Sequence, residues 1–192
     1  MSTNQLGWAI VSTGRHPDQK VAPAINAAGN NRITAVVSRS LERAKVFAAK
    51  HDGAGVYDNY DAMLRDPAVD AVYLSSPNHL HARQTIKAAA AGKHILCEKP
   101  MALRVADARR MIDVCKKKRR ILMVNFTTRF WKGAQRVKHL IDEGHIGDVQ
   151  SLRIRFVHDG PYTDWAKGDW FYDPKRAGGG ALMDMGVHAI DA

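Results

Sequence analysis

Residues 71–100 read AVYLSSPNHLHARQTIKAAAAGKHILCEKP, and the fold follows from their order. Ala71 to Ser75 is a short apolar run, broken by the polar group Ser75-Ser76-Pro77-Asn78. His79 to Ala91 carries a helical pattern that Gly92 ends, and His94 to Cys97 is a second apolar run. Strand, helix and strand in that order make a parallel βαβ unit. Glu98-Lys99-Pro100 then stands just beyond the carboxyl end of its second strand.

The same alternation continues on both sides. Strands are predicted at Trp8 to Ser12, Ile33 to Ser38, around Val56-Tyr57, and at Ile121 to Phe126. Helices are predicted at Gln19 to Ala28, Leu41 to His51, Tyr60 to Arg65 and Val105 to Lys118. Gly29, Gly53 and Gly92 mark helix ends, and Ser40 and Asn78 are candidate N-caps. The expected fold class is therefore α/β, a doubly wound parallel sheet.

The pattern changes near residue 125. Trp131 to Glu143 reads as an amphipathic helix, and Asp148 to His158 alternates apolar and polar residues like a half-solvated antiparallel strand. An aromatic-rich loop, Gly160 to Ala177, leads to Gly178-Gly179-Gly180 and a last helix. Two domains are expected, 1–124 and 125–192. The second is expected to be incomplete, because one alternating strand makes no stable sheet.

With 45% hydrophobic and 25% charged residues over 192, the bulk of the chain is expected to fold rather than stay disordered. No apolar stretch approaches the roughly 20 residues of a bilayer span, and Met1 to Gln5 lacks a basic n-region. A cytoplasmic protein with no membrane partner is expected. Two cysteines, Cys97 and Cys115, form neither a disulfide framework nor a metal set and read as core residues. A net charge of +10 raises nucleic acid as a partner. The densest block, Lys116 to Arg120, falls at a helix carboxyl end where cations offset the helix dipole, and no aromatic interleaving accompanies it. No nucleic-acid partner is expected.

In such sheets, ligands bind beyond the carboxyl ends of the strands. The first of those loops, Ser12-Thr13-Gly14-Arg15-His16-Pro17, keeps one of the three glycines of a dinucleotide fingerprint. Gly14 lets the backbone approach a pyrophosphate, while Ser12 stands where the tight turn favours glycine. After the second strand, Ser38-Arg39-Ser40 offers a guanidinium flanked by hydroxyls where an NAD-selective site has an acid. That suits a 2′-phosphate, so NADP is the expected cofactor and NAD the alternative.

His79 and His81 are two apart on a helix and point away from each other, so no metal is expected. Lys99, beside Pro100, is placed to reach a substrate oxygen. Asp184 and His188, four apart on the last helix, share a face, and a carboxylate there can orient an imidazole that takes a hydroxyl proton. Asp191 lies one turn further on.

Taken together, Cys97-Glu98-Lys99-Pro100-Met101-Ala102-Leu103 and the stretch Gly178 to Asp191 resemble the glucose-fructose oxidoreductase, inositol dehydrogenase and rhizopine catabolism (Gfo/Idh/MocA) family. Ser76-Pro77-Asn78-His79-Leu80-His81, Ala91-Gly92-Lys93-His94 and Asn125 to Phe130 match as well. The resemblance covers essentially the whole chain. It implies an N-terminal Rossmann domain and the start of an α+β domain with a mainly antiparallel sheet, C-terminally truncated here.

By position, the resemblance makes Lys99, Asp184 and His188 the catalytic residues, and adds Arg129 to these three as substrate-binding. The loop reading and the resemblance together give the expected cofactor-binding set: Ser12, Thr13, Gly14, Arg15, His16, Ser38, Arg39, Ser40, Ser76, Asn78, His81, Glu98 and Lys99. The resemblance implies an often cis Lys99-Pro100 bond and hydride transfer at a carbinol carbon of a sugar, polyol or cyclic alcohol. A homo-oligomer is implied for a full-length form. The alternatives are a regulatory protein that binds the dinucleotide without turnover and an inactive truncated fragment. Tyr162, Trp165, Trp170, Phe171 and Tyr172 are candidates either for stacking on a sugar ring or for packing on the sheet.

Overall fold

A computed structural model describes residues 5–53, 55–157 and 169–192. Six strands form one sheet: β1 (Leu6–Val11), β2 (Asn31–Val37), β3 (Gly55–Tyr57), β4 (Ala71–Leu74), β5 (His94–Cys97) and β6 (Leu122–Val124). Their order is β3-β2-β1-β4-β5-β6, and every neighbouring pair is parallel. The chain winds outward from β1 to β3 on one side and from β4 to β6 on the other, so the order reverses between β1 and β4. Several strands end a residue or two earlier than the apolar runs suggest. Ser12, Ser38 and Ser75 leave the sheet while their amides still donate to Val37, Tyr57 and Val11 carbonyls, at 2.8, 3.0 and 3.2 Å.

Side chains alternate across the pleat, and both faces are covered. On one face Ala9, Val11, Val72, Leu74, Ile95 and Cys97 pack with Met63, Ala88, Met111 and Cys115. On the other Ile10, Val36 and Tyr73 pack with Ala22, Ile25, Ala44 and Phe47. Burial on both faces is why these strands read as continuous apolar runs. Both cysteines are buried and free, and burial pushes both thiols up, away from the reactive thiolate.

The helices between the strands are α1 (Ala22–Ala27), α2 (Leu41–Lys50), α3 (Tyr60–Leu64), α4 (His81–Ala90) and α5 (Val105–Lys117). A π turn, Pro17–Val21, leads into α1. Ser40 caps α2 by accepting from the Arg43 amide at 3.3 Å. Asn78 differs from the expected N-cap: it opens a 3-10 turn, Asn78–Leu80, and α4 begins one turn later behind Leu80. The basic block ends α5 with Lys116 and Lys117 in the last turn. Arg119, at φ 53°, takes the left-handed position usual for glycine, and the Arg120 amide closes the end on the Cys115 carbonyl at 2.9 Å. Lys93 is buried, and its ammonium donates to the carbonyls of Asp66 and Val69 at 2.9 and 2.7 Å.

The chain divides into two compact units, Met1–Val124 and Asn125–Ala192. The second holds a 3-10 turn (Thr127–Phe130), α6 (Lys132–Asp142), a 3-10 turn (Asp169–Tyr172), α7 (Pro174–Ala177), a π turn (Leu182–Gly186) and α8 (Val187–Asp191). Two sequence expectations are corrected here. Residues 148–157 are not a strand, because alternation provides a face but a strand also needs a partner ladder, and among the described residues none lies beside this segment. The expected loop is partly helical over 169–177, where the Asp173 carboxylate accepts from the Lys175 amide at 2.9 Å and caps α7. His158, Tyr162 and Trp165 lie outside the described residues.

Candidate functional site

The loops that follow β1, β2, β4 and β5 emerge at one end of the sheet, around the point where strand order reverses, the place where open α/β sheets hold ligands. Ser12, at φ 88°, holds the backbone geometry that glycine takes freely, which costs an L-residue on the order of 1 kcal/mol. Thr13 Oγ1 lies 3.5 Å from Ser38 Oγ, joining the first two loops. Ser38 is buried and its hydroxyl accepts from the Ser40 amide at 3.3 Å, while Arg39 is exposed beside it. Gly14, Arg15 and His16 are exposed. Hydroxyls, guanidiniums and exposed backbone, with no carboxylate in Ser38-Arg39-Ser40, form a donor set suited to a phosphate-bearing dinucleotide.

The helix after the first loop is pinned from the side. The Asp18 carboxylate receives Lys50 Nζ and His51 Nε2, each at 2.7 Å, and the hydrogen bond from Lys50 followed by that from His51 holds its pKa below the usual carboxylate range.

Glu98 sits where the first loop, β4 and β5 meet. Its Oε1 accepts from the Tyr73 hydroxyl at 2.8 Å and lies 3.3 Å from His16 Nε2, and its Oε2 accepts from the Lys99 amide at 3.3 Å. Lys99 is half-buried, and the Lys99-Pro100 bond is cis. Neither Tyr73 nor the His16 contact to Glu98 is written in any local pattern. Tyr73 is a strand residue that reads simply as core.

His81 is a correction. It is fully buried, and its Nδ1 and Nε2 lie 2.9 and 2.8 Å from the carbonyl oxygens of Pro100 and Ser76. It therefore presents nothing to a cofactor and instead ties the loop after β4 to the loop after β5. Burial, the larger effect, pushes its pKa down against the upward pull of the two carbonyls. Ser76 is also buried, with its hydroxyl on the side-chain oxygen of Gln84, and Asn78 is buried.

In the second unit, Asp184 lies in the π turn Leu182–Gly186 and His188 in α8, both half-buried on consecutive turns. The Phe156 ring stacks on the His188 imidazole, with centroids 5.3 Å apart and planes 10° from parallel. Phe126 meets the same imidazole edge-on at 6.3 Å. Asp191 pairs with Arg129: Nε donates to its two oxygens at 3.0 and 2.8 Å, and Nη2 to Oδ1 at 2.6 Å. The Arg129 guanidinium thus anchors the carboxyl end of α8. Trp170, Phe171 and Tyr172 pack edge-to-face on one another.

Comparison with known proteins agrees with this arrangement. Residues 6–126 match the oxidoreductase family with an NAD-binding Rossmann fold, and residues 134–192 match the Gfo/Idh/MocA C-terminal domain. The chain is 37% identical over 172 residues to dTDP-3,4-didehydro-2,6-dideoxy-alpha-D-glucose 3-reductase of Streptomyces violaceoruber, covering 90% of this chain and 48% of that protein. It is 31% identical over 192 residues to D-glucoside 3-dehydrogenase of Escherichia coli, covering 100% of this chain and 54% of that one.

Among solved structures, the 3-ketoreductase KijD10 from Actinomadura kijaniata, in complex with NADP and TDP-benzene, superimposes with a TM-score of 0.85 at 33% identity. That match covers 97% of this chain and 56% of KijD10. The chain spans about half the length of the curated relatives it matches. Motifs, sheet order and family match together establish that this chain belongs to the Gfo/Idh/MocA oxidoreductases, with their NAD-binding Rossmann domain at its N-terminal end.

Proposed function

We propose that the chain carries the NADP-binding half and the proton-transfer residues of an oxidoreductase acting on a carbinol carbon of a sugar, polyol or cyclic alcohol. The observation that carries the cofactor choice is Arg39, exposed between the Ser38 and Ser40 hydroxyls beyond β2, with no carboxylate among the three. NADP, when bound, supplies the hydride acceptor or donor. Thr13, Gly14 and the flanking amides would hold its pyrophosphate, and Arg39 would pair with its 2′-phosphate. Glu98 and Asn78 would hold its nicotinamide ribose.

Lys99 donates to the substrate oxygen and stabilises the charge that develops there. His188 takes the hydroxyl proton, Asp184 positions the substrate, and Arg129, held by Asp191, completes the substrate set. A sugar-type ring is supported by the relatives, which include a glucoside dehydrogenase, a dTDP-sugar reductase and a ketoreductase that holds TDP-benzene.

The test is a titration of the 192-residue chain with NADPH and with NADH, read by the fluorescence of its four tryptophans. Saturable quenching, tighter for NADPH, is the expected result. Absence of saturation with either dinucleotide overturns the reading.

A further inference from the structure

Tyr73 is the largest fully buried side chain among the described residues and lies within β4, paired in register with Ile10 and Leu96. A phenol that deep in a sheet needs a partner for its hydroxyl, and an apolar ring would serve the packing as well. Its hydroxyl reaches Glu98 Oε1 at 2.8 Å. Burial, and then the neighbouring carboxylate, raises the phenol's pKa, so it is a protonated donor at neutral pH. Glu98 is 14% exposed at the side chain, and it spans from His16, in the loop after β1, to the backbone amide of Lys99.

Ordering a carboxylate on the end of a side chain with three rotatable bonds costs rotamer entropy, and a rigid partner lowers that cost. The buried hydroxyl supplies a fixed point, since Tyr73 cannot move without disturbing the sheet.

We propose that Tyr73 is a positioning residue, whose hydroxyl fixes the Glu98 carboxylate as a strut between His16 in the first loop and the Lys99 amide. The inference rests on the reading that these loops hold the dinucleotide. The strut keeps the first loop and the Lys99 loop at a fixed separation, so cofactor affinity depends on a hydroxyl that the cofactor never touches.

The experiment is a double-mutant cycle in NADPH affinity, read by tryptophan fluorescence on the 192-residue chain, with Tyr73→Phe, Glu98→Ala and the double variant. Tyr73→Phe keeps the ring and removes only the donor, and is expected to weaken NADPH binding roughly two- to tenfold, the worth of one hydrogen bond. In the Glu98→Ala background the same change is expected to leave affinity unchanged or improve it, because the hydroxyl has already lost its acceptor. Tyrosine acting only through packing predicts equal effects in both backgrounds, and that outcome overturns the inference. So does unaltered affinity in Tyr73→Phe.

If Tyr73→Phe fails to melt cooperatively, the same cycle on His16→Ala and Glu98→Ala decides: coupled losses support the strut and additive ones refute it. An unaltered chain that does not saturate with NADPH overturns the cofactor reading itself, which separates the two failures.

Discussion

The imidazole of His188 lies face to face with the ring of Phe156, at 5.3 Å and 10° from parallel. Offset stacking of this kind contributes about 0.5–1.5 kcal/mol beyond area burial and restricts the imidazole's rotation. His188 protons above the phenyl face are therefore shielded. Phe156→Leu is expected to move the His188 ring resonances downfield in a proton–nitrogen or proton–carbon NMR spectrum of the chain. Unchanged shifts would show that the two rings do not stack.

Arg39 gives a prediction about cofactor choice. A guanidinium paired with a phosphate contributes about 1.5–3 kcal/mol, so Arg39→Ala is expected to weaken NADPH binding roughly tenfold or more while leaving NADH nearly unaffected. Arg39→Asp places a carboxylate against the 2′-phosphate and is expected to reverse the preference. An NADPH to NADH affinity ratio that is the same in all three chains rules Arg39 out as the selector.

How much of this follows from sequence depends on how far apart the partners lie. Parallel strands buried on both faces leave unbroken apolar runs, and Gly92 or Ser40 marks where helices stop or start, so the first half of the molecule reads directly from local pattern. The loops beyond those strands are equally plain, which is how Arg39, Glu98 and Lys99 emerge without coordinates. Residues 148–157 fail the same reading, because their alternation fixes two faces and says nothing of a neighbour to pair with. His81 fails it differently. A histidine next to a cofactor motif looks like a ligand contact until two main-chain carbonyls, one of them 19 residues away, are found on its ring. Tyr73 and Glu98 are 25 residues apart and Arg129 and Asp191 are 62 apart, separations that no window along the chain connects.

The buried His81 makes stability pH-dependent in a defined direction. Its folded pKa is depressed below the ordinary 6.5, so the unfolded chain binds the proton more readily. The stabilisation is complete above about 6.5 and is lost as pH falls below that value. Thermal melts between pH 5 and 7.5 are expected to show the unaltered chain losing stability relative to His81→Gln on the acid side. At pH 7.5 the neutral imidazole has a single N–H to donate, so His81→Ala is expected to cost about 1–3 kcal/mol, as one buried carbonyl loses its donor. Parallel melting curves for the unaltered and Gln chains would mean that His81 does not titrate in this range.

The Arg129–Asp191 pair calls for a test that respects its setting, because the Arg129 side chain is 64% exposed and the Asp191 side chain 8%. Solvent screens the charge on the arginine side, so the value of the pair lies in geometry more than in Coulomb energy. A guanidinium offers parallel donors to both carboxylate oxygens, and an ammonium does not, so Arg129→Lys keeps the charge and loses the fork. Asp191 closes α8, a five-residue helix too short to be stable without such an anchor. Hydrogen exchange of the α8 amides is therefore expected to quicken in Arg129→Lys nearly as much as in Arg129→Ala, with the strands of the first unit unaffected. If Arg129→Lys exchanges like the unaltered chain, charge alone suffices and the fork is dispensable. If neither variant changes exchange in α8, the helix is held by its apolar contacts and the pair is a surface feature.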